Sequence, residues 1–401
     1  MLHALLRLLQ LDGLYFIIDF EHPYRDSAMK ILQIIYESRD NPFGTGGAGL
    51  RAYEIYARLK DRHDITLLCM RYPGAADGEI EGLRHVFVGA ESRSLTKSVL
   101  SYTVKAAQYV RRHGGSYDVI VENFLPSTPI FSRLLTRTPV ILQVQGVMER
   151  HSLKKFSPVY AVPMFLVEGT YPFLYEHFIF VSAVTRDKVM TGRRRKTGLC
   201  EVIPNGINRD LLDAIPEEQG YILFFSRIDI YTKGLDLLMS AFSRIADDFP
   251  GLRVILAGYE FDRFSTLRDM LRPDLQGRVE YAGFVTGTQK RELLSGASVV
   301  VLPSRHESSP ISILEAAALA RPVIVSDIPE LAFVEQRQMG ISFRSGSSED
   351  LSQKIAHLLH NSGLRQDLGL QGREYARQFL WDTIAPCFEN ALQLVADEKR
   401  P

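Results

Sequence analysis

The chain has 401 residues, 46% of them hydrophobic and 23% charged, and its 47 Lys plus Arg balance 47 Asp plus Glu to a formal net charge of +0. This composition excludes a disordered chain, and a charge-neutral protein is poorly suited to coating a phosphate polymer, so no nucleic-acid partner is expected. At roughly 150 residues per domain the length predicts two or three domains.

Met1 to Leu11 is apolar but short, and it lacks the charged start and small-residue cleavage site of a signal peptide. Residues 1–28 read as an N-terminal extension, or as the product of an upstream start, before a domain that opens at Met29. Lys30 to Tyr36 (KILQIIY) predicts a buried first strand, followed by a glycine loop and a helix over Ala48 to Lys60 with one apolar face. Further strands are predicted at Ile65 to Met70, His85 to Val88, Val119 to Glu122, Val140 to Val144, Phe178 to Val181 and Glu201 to Ile203. Ser152 to His177 carries Pro158, Pro163 and Pro172, fits neither period, and reads as mixed helix and loop. A polar, acidic stretch from Pro204 to Gln219 marks the junction, after which the alternation resumes at Tyr221 to Phe225, Val254 to Ala257, Val279 to Ala282, Val299 to Leu302 and Val323 to Val325. Short apolar runs alternating with amphipathic stretches are the pattern of βα units on parallel sheets. The expected division is 29–212, 213–380, and a helix in 381–401 that packs back on the first domain.

Cys69, Cys200 and Cys387 are far apart and offer neither a zinc spacing nor a disulfide framework, which points to a reducing compartment. The most apolar stretch, Tyr160 to Val184, is interrupted by Glu168, Glu176 and His177, so no membrane span is predicted and a cytoplasmic location is expected.

Gly44, Gly46 and Gly49 spell G-x-G-x-x-G between strand and helix, where glycines let backbone approach a phosphate at a helix N-terminus. An NAD site is disfavoured, because the second strand ends at Leu68-Cys69-Met70-Arg71 without an acid for the ribose hydroxyls. Contact with a diphosphate and a purely conformational use of the glycines both remain open. The strongest signal is Val299 to Glu330. There Glu307 falls in a loop after a strand, and Glu315 lies inside the helix that Ser309-Pro310 can begin. Two carboxylates at the carboxyl end of a parallel strand suit a polyol, whose vicinal hydroxyls one carboxylate can accept together. Arg227 and Lys233, in FFSRIDIYTKGLDLL, follow the first strand of the second half and can neutralise an anion.

The order of FFSRIDIYTKGLDLL, LAGYE, VEYAGFV and HESSPISILEAAALARPVIVSD resembles the nucleotide-binding domain of the retaining family-4 glycosyltransferases of GT-B architecture. The KILQIIY strand, the GTGGAG loop and the VSAVTR and VIPNGIN segments are similar to the other half of such enzymes, and the likeness runs over roughly residues 29 to 380. It implies an α/β fold of two Rossmann-like, doubly wound domains facing across a cleft. It also implies that Glu315 binds the ribose, that Glu307 contacts the donor sugar, and that the amides of Ser308, Ser309, Pro310 and Ile311 line the sugar and phosphate. Arg227 and Lys233 would neutralise the diphosphate, and Gly46 and Gly47 would reach it from the first domain.

The family often places a His after the strand that ends the acceptor half; here the stretch is Gln143-Val144-Gln145-Gly146. Gln145 can hydrogen-bond a sugar but takes up no proton near neutral pH, and His151 stands as a substitute beside the plainer reading of a surface or core histidine. The resemblance implies transfer with retained configuration and without cofactor or divalent metal, and the sequence has no Asp-x-Asp metal motif; no carboxylate presents itself as a nucleophile, so the expected route is front-face attack resting on positioning and charge stabilisation. Lys233→Ala is expected to lower turnover with little loss of stability. The expected partners are a nucleotide-sugar donor and a glycan or lipid-linked acceptor in polysaccharide or cell-envelope assembly. Arg193 to Lys196, Lys154, Lys155 and the apolar stretch Val159 to Phe180 add a candidate contact with an anionic membrane face. The competing readings are a sugar-nucleotide epimerase or hydrolase, an NAD-dependent oxidoreductase, and a non-catalytic binding protein.

Overall fold

Runs of Val, Ile, Leu and Phe bounded by glycine and polar turns build two parallel sheets in the computed structural model, which describes residues 9–11, 14–16 and 27–398 apart from Asp40, Phe43, Thr45, Phe156 and 192–196. The predicted extension 1–28 lies mostly outside the described residues, which include there the antiparallel pair Leu9–Leu11 and Leu14–Phe16. The basic run 193–196 lies wholly outside them.

The chain forms two units, one reaching to Pro204 and resuming at Trp381, the other spanning Asn205–Leu380. This division falls ahead of the 212/213 boundary read from the sequence. Asn205 and Ile207 hydrogen-bond inside the second unit, Asn205 Nδ2 to Ser309 O at 2.9 Å and Ile207 N to Phe379 O at 2.7 Å.

The first unit holds β1 (Lys30–Ile34), β2 (Asp64–Met70), β3 (Gly78–Ile80), β4 (Leu83–Val88), β5 (Val119–Asn123), β6 (Val140–Val144), β7 (His177–Phe180) and β8 (Cys200–Val202). Their order is β8-β7-β6-β5-β1-β2-β4-β3, parallel throughout except for the β3–β4 pair. Helices α1 (Gly47–Leu59) and α2 (Leu95–His113) follow the strand–loop–helix pattern, and 152–177 resolves mainly into α3 (Pro158–Leu174). Pro158 is tolerated as the first residue of α3, where its missing N–H would have no intrahelical partner. The helix Trp381–Asp397 packs on α1, with Tyr56 edge-on to Phe388 at 6.0 Å and Arg58 Nε donating to Asp382 Oδ1 at 2.7 Å.

A fully buried carboxylate anchors α3 to the sheet. Glu122 on β5 accepts from Ser132 N (2.9 Å), Tyr171 OH (3.0 Å) and Tyr175 OH (2.6 Å). Burial raises its carboxyl above the ordinary range, and these donors only partly offset the desolvation. A raised acid holds its proton more firmly in the folded state, so its contribution is most favourable at low pH and declines as pH rises from the unfolded value through the folded one. Glu122→Gln keeps a single acceptor oxygen for three donors and is expected to cost about 1–3 kcal/mol. The deficit against wild type should shrink as pH is raised above the ordinary carboxyl value; melting temperatures of both proteins from pH 4 to 8 check this, and a deficit that grows with pH refutes it.

The second unit is β9 (Tyr221–Phe225), β10 (Arg253–Ala257), β11 (Val279–Gly283), β12 (Ala297–Leu302), β13 (Val323–Ser326) and β14 (Gly340–Phe343), in the order β11-β10-β9-β12-β13-β14 and parallel throughout. Helix α4 (Leu235–Ile245) buries Leu235, Leu238, Phe242 and Ile245 along one stripe, each such side chain contributing roughly 1.5–3 kcal/mol. It is joined in this unit by α5 (Gly287–Gly296) and α6 (Ile311–Ala318). The sheet's carboxyl edge, between β9 and β12, carries most of the residues singled out above.

Candidate active site

The loop after β9 is shaped for close approach. Gly258, at φ +147°, leaves room for Ser226, since a Cβ there would lie 1.9 Å from Ser226 O. Arg227 follows, half exposed, its guanidinium 5.3 Å from the Phe261 ring centroid and Nη2 3.3 Å from Asp229 Oδ2. Asp229 caps the turn Ile230–Lys233 by accepting from Thr232 N at 3.0 Å. Gly234 closes that turn at φ +66°, where a Cβ would meet Pro303 O at 1.9 Å. No larger residue fits at Gly234, and the close passage sets Lys233 beside the loop after β12.

There Lys233 Nζ lies 2.5 Å from Glu307 Oε1, which also accepts from Ser304 Oγ at 2.7 Å. Both side chains of the ion pair are largely buried, 13% and 6% exposed. A buried pair of this kind holds each group in place but leaves a desolvated charge if either partner is removed. This argues for a stability cost in Lys233→Ala, against the expectation of little loss.

Glu315 sits on the fifth residue of α6, 5% exposed, and its Oε1 receives Lys290 Nζ from α5 at 2.6 Å. Ser308, Ser309 and Pro310 are half-buried between the two carboxylates, Ile311 is buried, and Ser309 is tethered through its carbonyl to Asn205. The structure thus joins Lys233 to Glu307 directly, while Arg227 turns to Asp229 and Phe261, and Glu315 takes a partner that sequence reasoning missed.

In the first unit, a buried carboxylate reaches the glycine loop. Glu37, 5% exposed, accepts from Gly46 N at 3.0 Å and Gly49 N at 2.5 Å. A carboxylate of the chain itself therefore occupies amides at the start of α1, the position at which a dinucleotide pyrophosphate would sit in the fingerprint reading. Gly47 is exposed as the first residue of α1. Gln145, just past β6, has a buried Nε2 without a hydrogen-bond partner among the described residues, and His151 lies half-buried in the helix Glu149–Lys155. Next to Gln145, an amide cluster escaped the sequence reading: Asn123 Oδ1 accepts from Gln143 Nε2 at 2.8 Å and Gln33 Nε2 at 3.4 Å, and Tyr56 OH donates to Gln33 Oε1 at 2.8 Å. Among the described residues, no three His, Cys, Asp or Glu side chains gather as metal ligands.

Two doubly wound units, one with paired carboxylates and cations at the carboxyl edge of its sheet, are the architecture of glycosyl transfer on the GT-B plan. Family models extend this to sequence: glycosyltransferase family 4 matches residues 45–211, and glycosyl transferases group 1 matches residues 219–361. The chain belongs to these family-4, group 1 glycosyltransferases. A phosphatidyl-myo-inositol mannosyltransferase of Mycobacterium leprae is 28% identical over 205 residues, 48% of this chain and 53% of that one. The chain spans about half the length of the curated relatives it matches first. Among solved structures, sucrose-phosphate synthase of Thermosynechococcus elongatus superposes with a TM-score of 0.74 at 17% identity, over 92% of this chain and 100% of that one. An Anabaena protein solved with UDP and glucose gives 0.69 at 18% identity, over 91% and 99% of the two chains. At these identities the structures establish the shared fold.

Proposed function

We propose that this protein transfers a sugar from a nucleoside-diphosphate donor to a hydroxyl of a glycan or lipid-linked acceptor, with retained anomeric configuration and without a metal ion. The observation that carries the reading is the convergence of Glu307, Glu315, Arg227 and Lys233 on one edge of the second sheet. Glu315 Oε2 remains to accept from ribose hydroxyls while Oε1 is held by Lys290. Glu307 accepts from sugar hydroxyls, and the backbone from Ser308 to Ile311 lines the sugar and phosphate. Arg227 and Lys233 stabilise charge that grows on the diphosphate as the bond from the anomeric carbon to the phosphate oxygen breaks. The acceptor oxygen forms the new bond on the same face, and its proton passes to the departing phosphate oxygen. Gln145 hydrogen-bonds the acceptor sugar and supplies no proton.

The relative that acts on phosphatidyl-myo-inositol favours a lipid-linked acceptor. Helix α3 fits the same reading, exposing Val159, Val162, Leu166 and Phe173 on one face, near Lys154. Among the described residues no helix is long and apolar enough to cross a membrane, so the proposed contact is peripheral, at the cytoplasmic face.

Calorimetric titration with UDP, GDP, ADP and NAD in the presence of a chelator tests the donor site. One nucleoside diphosphate is expected to bind, and Glu315→Ala to abolish that binding. Binding of NAD alone, or binding that survives Glu315→Ala unchanged, would overturn the assignment. A dependence of turnover on added divalent metal would remove the metal-independent part.

A further inference from the structure

An open pocket lies in the first unit, apart from the residues assigned to donor and acceptor. It has a volume of about 260 Å³ and lies between the end of β4 and the C-terminal half of α2, with Phe87 and Val88 on one wall. The facing side chains are Lys105, Arg112 and His113, joined from the end of β2 by Arg71. Two carboxylates stand near them, Asp77 and Glu91, the latter accepting from Gly74 N at 3.3 Å. Helix α2 contains no Asp or Glu. Asp77, the carboxylate at the cavity's edge, is taken by Arg71 Nη2 at 3.2 Å. Among the described residues, Lys105 Nζ reaches a neutral amide, Gln108 Oε1 at 3.3 Å, and no carboxylate.

Cations in the last turn of a helix are favoured by its dipole, which accounts for Arg112 and His113 as plain surface residues. It does not account for Lys105, two turns earlier; Arg71 arrives from a different element, held there by Asp77, by Phe87 O at 2.6 Å and by Ala75 O at 3.3 Å. Convergence of guanidinium, ammonium and imidazole donors on one concave surface, with one carboxylate already neutralised, is the donor set for a tetrahedral oxyanion bearing several acceptor oxygens.

We propose that this cavity binds a phosphate ester, either the phosphate of a soluble compound or that of a lipid headgroup. The site does not depend on the donor assignment, and its test is read without turnover. The full chain is titrated with glycerol 3-phosphate, and separately floated with phosphatidylcholine vesicles with and without phosphatidylglycerol, for wild type, for Lys105→Ala/Arg112→Ala, and for Arg268→Ala as an exposed cation of the other unit. Melting temperatures confirm that each variant is folded. The proposal expects wild type to bind at least one probe and the double variant to lose that affinity tenfold or more, with Arg268→Ala unchanged. Binding should weaken as salt rises. Response to glycerol 3-phosphate identifies a soluble phosphate ester; response confined to phosphatidylglycerol vesicles identifies a headgroup. Failure of wild type to bind either probe, retention of affinity within twofold by the double variant, or an equal loss in Arg268→Ala overturns it.

Discussion

Lys233→Ala is expected to lower turnover by roughly 10²- to 10³-fold, the usual loss when a charge-stabilising donor is removed from a transfer site, and to lower stability at the same time. The second effect follows from Glu307, whose carboxylate lies 2.5 Å from Lys233 Nζ and is 6% exposed. Without the ammonium it stays desolvated with Ser304 as its remaining donor in this pair's contacts. Loss of one partner of a largely buried ion pair costs about 3 kcal/mol. The double variant Lys233→Ala/Glu307→Gln removes the orphaned charge and should recover much of the melting temperature while leaving turnover low. Those two readouts separate the roles: recovery of stability without activity supports a site in which Lys233 acts on the substrate, whereas full turnover in Lys233→Ala removes it from the mechanism.

Lys290→Met is expected to raise the donor KM about tenfold with much less effect on kcat. Its ammonium donates to Glu315 Oε1 at 2.6 Å, holding the carboxylate in one orientation on the fifth residue of α6. Loss of that donor leaves a buried acceptor unsatisfied and free to rotate, and a hydrogen bond to a charged group is worth about 1.5–3 kcal/mol. The effect falls on binding because the ribose is distant from the bond that breaks, so ground state and transition state weaken together. Lys290→Arg should restore much of the affinity. A fall in kcat at unchanged KM would show that Lys290 acts on the reacting groups instead.

Fold class and most of the strands are legible in the chain's apolar runs, because a central parallel strand is buried on both faces and must be written in Val, Ile, Leu and Phe. The same runs miss the strands that pairing creates. Gly340–Phe343 is short and begins with a glycine, yet it forms β14 because Gly340 lets the backbone come close to β13, where a Cβ would meet Val323 O at 2.1 Å. Gly78–Ile80 forms β3 only through its antiparallel partner β4. Helix α3 hid because it leaves Val159, Leu166 and Phe173 exposed, which erases the amphipathic period that sequence reading uses.

Glu307, Glu315, Arg227 and Lys233 were legible as residues, since turn chemistry and strand ends mark where ligands meet a parallel sheet. Their partners were decided by tertiary structure. No spacing along the chain announces that Lys290 reaches Glu315, that Asp229 holds Arg227, or that Glu37 fills the glycine loop. The pattern of apolar residues is a local property of the chain, set by the period of each element. An ion pair joining Lys233 to Glu307 depends on how β9 and β12 lie side by side in the sheet, and on the missing Cβ at Gly234 that lets the two loops touch.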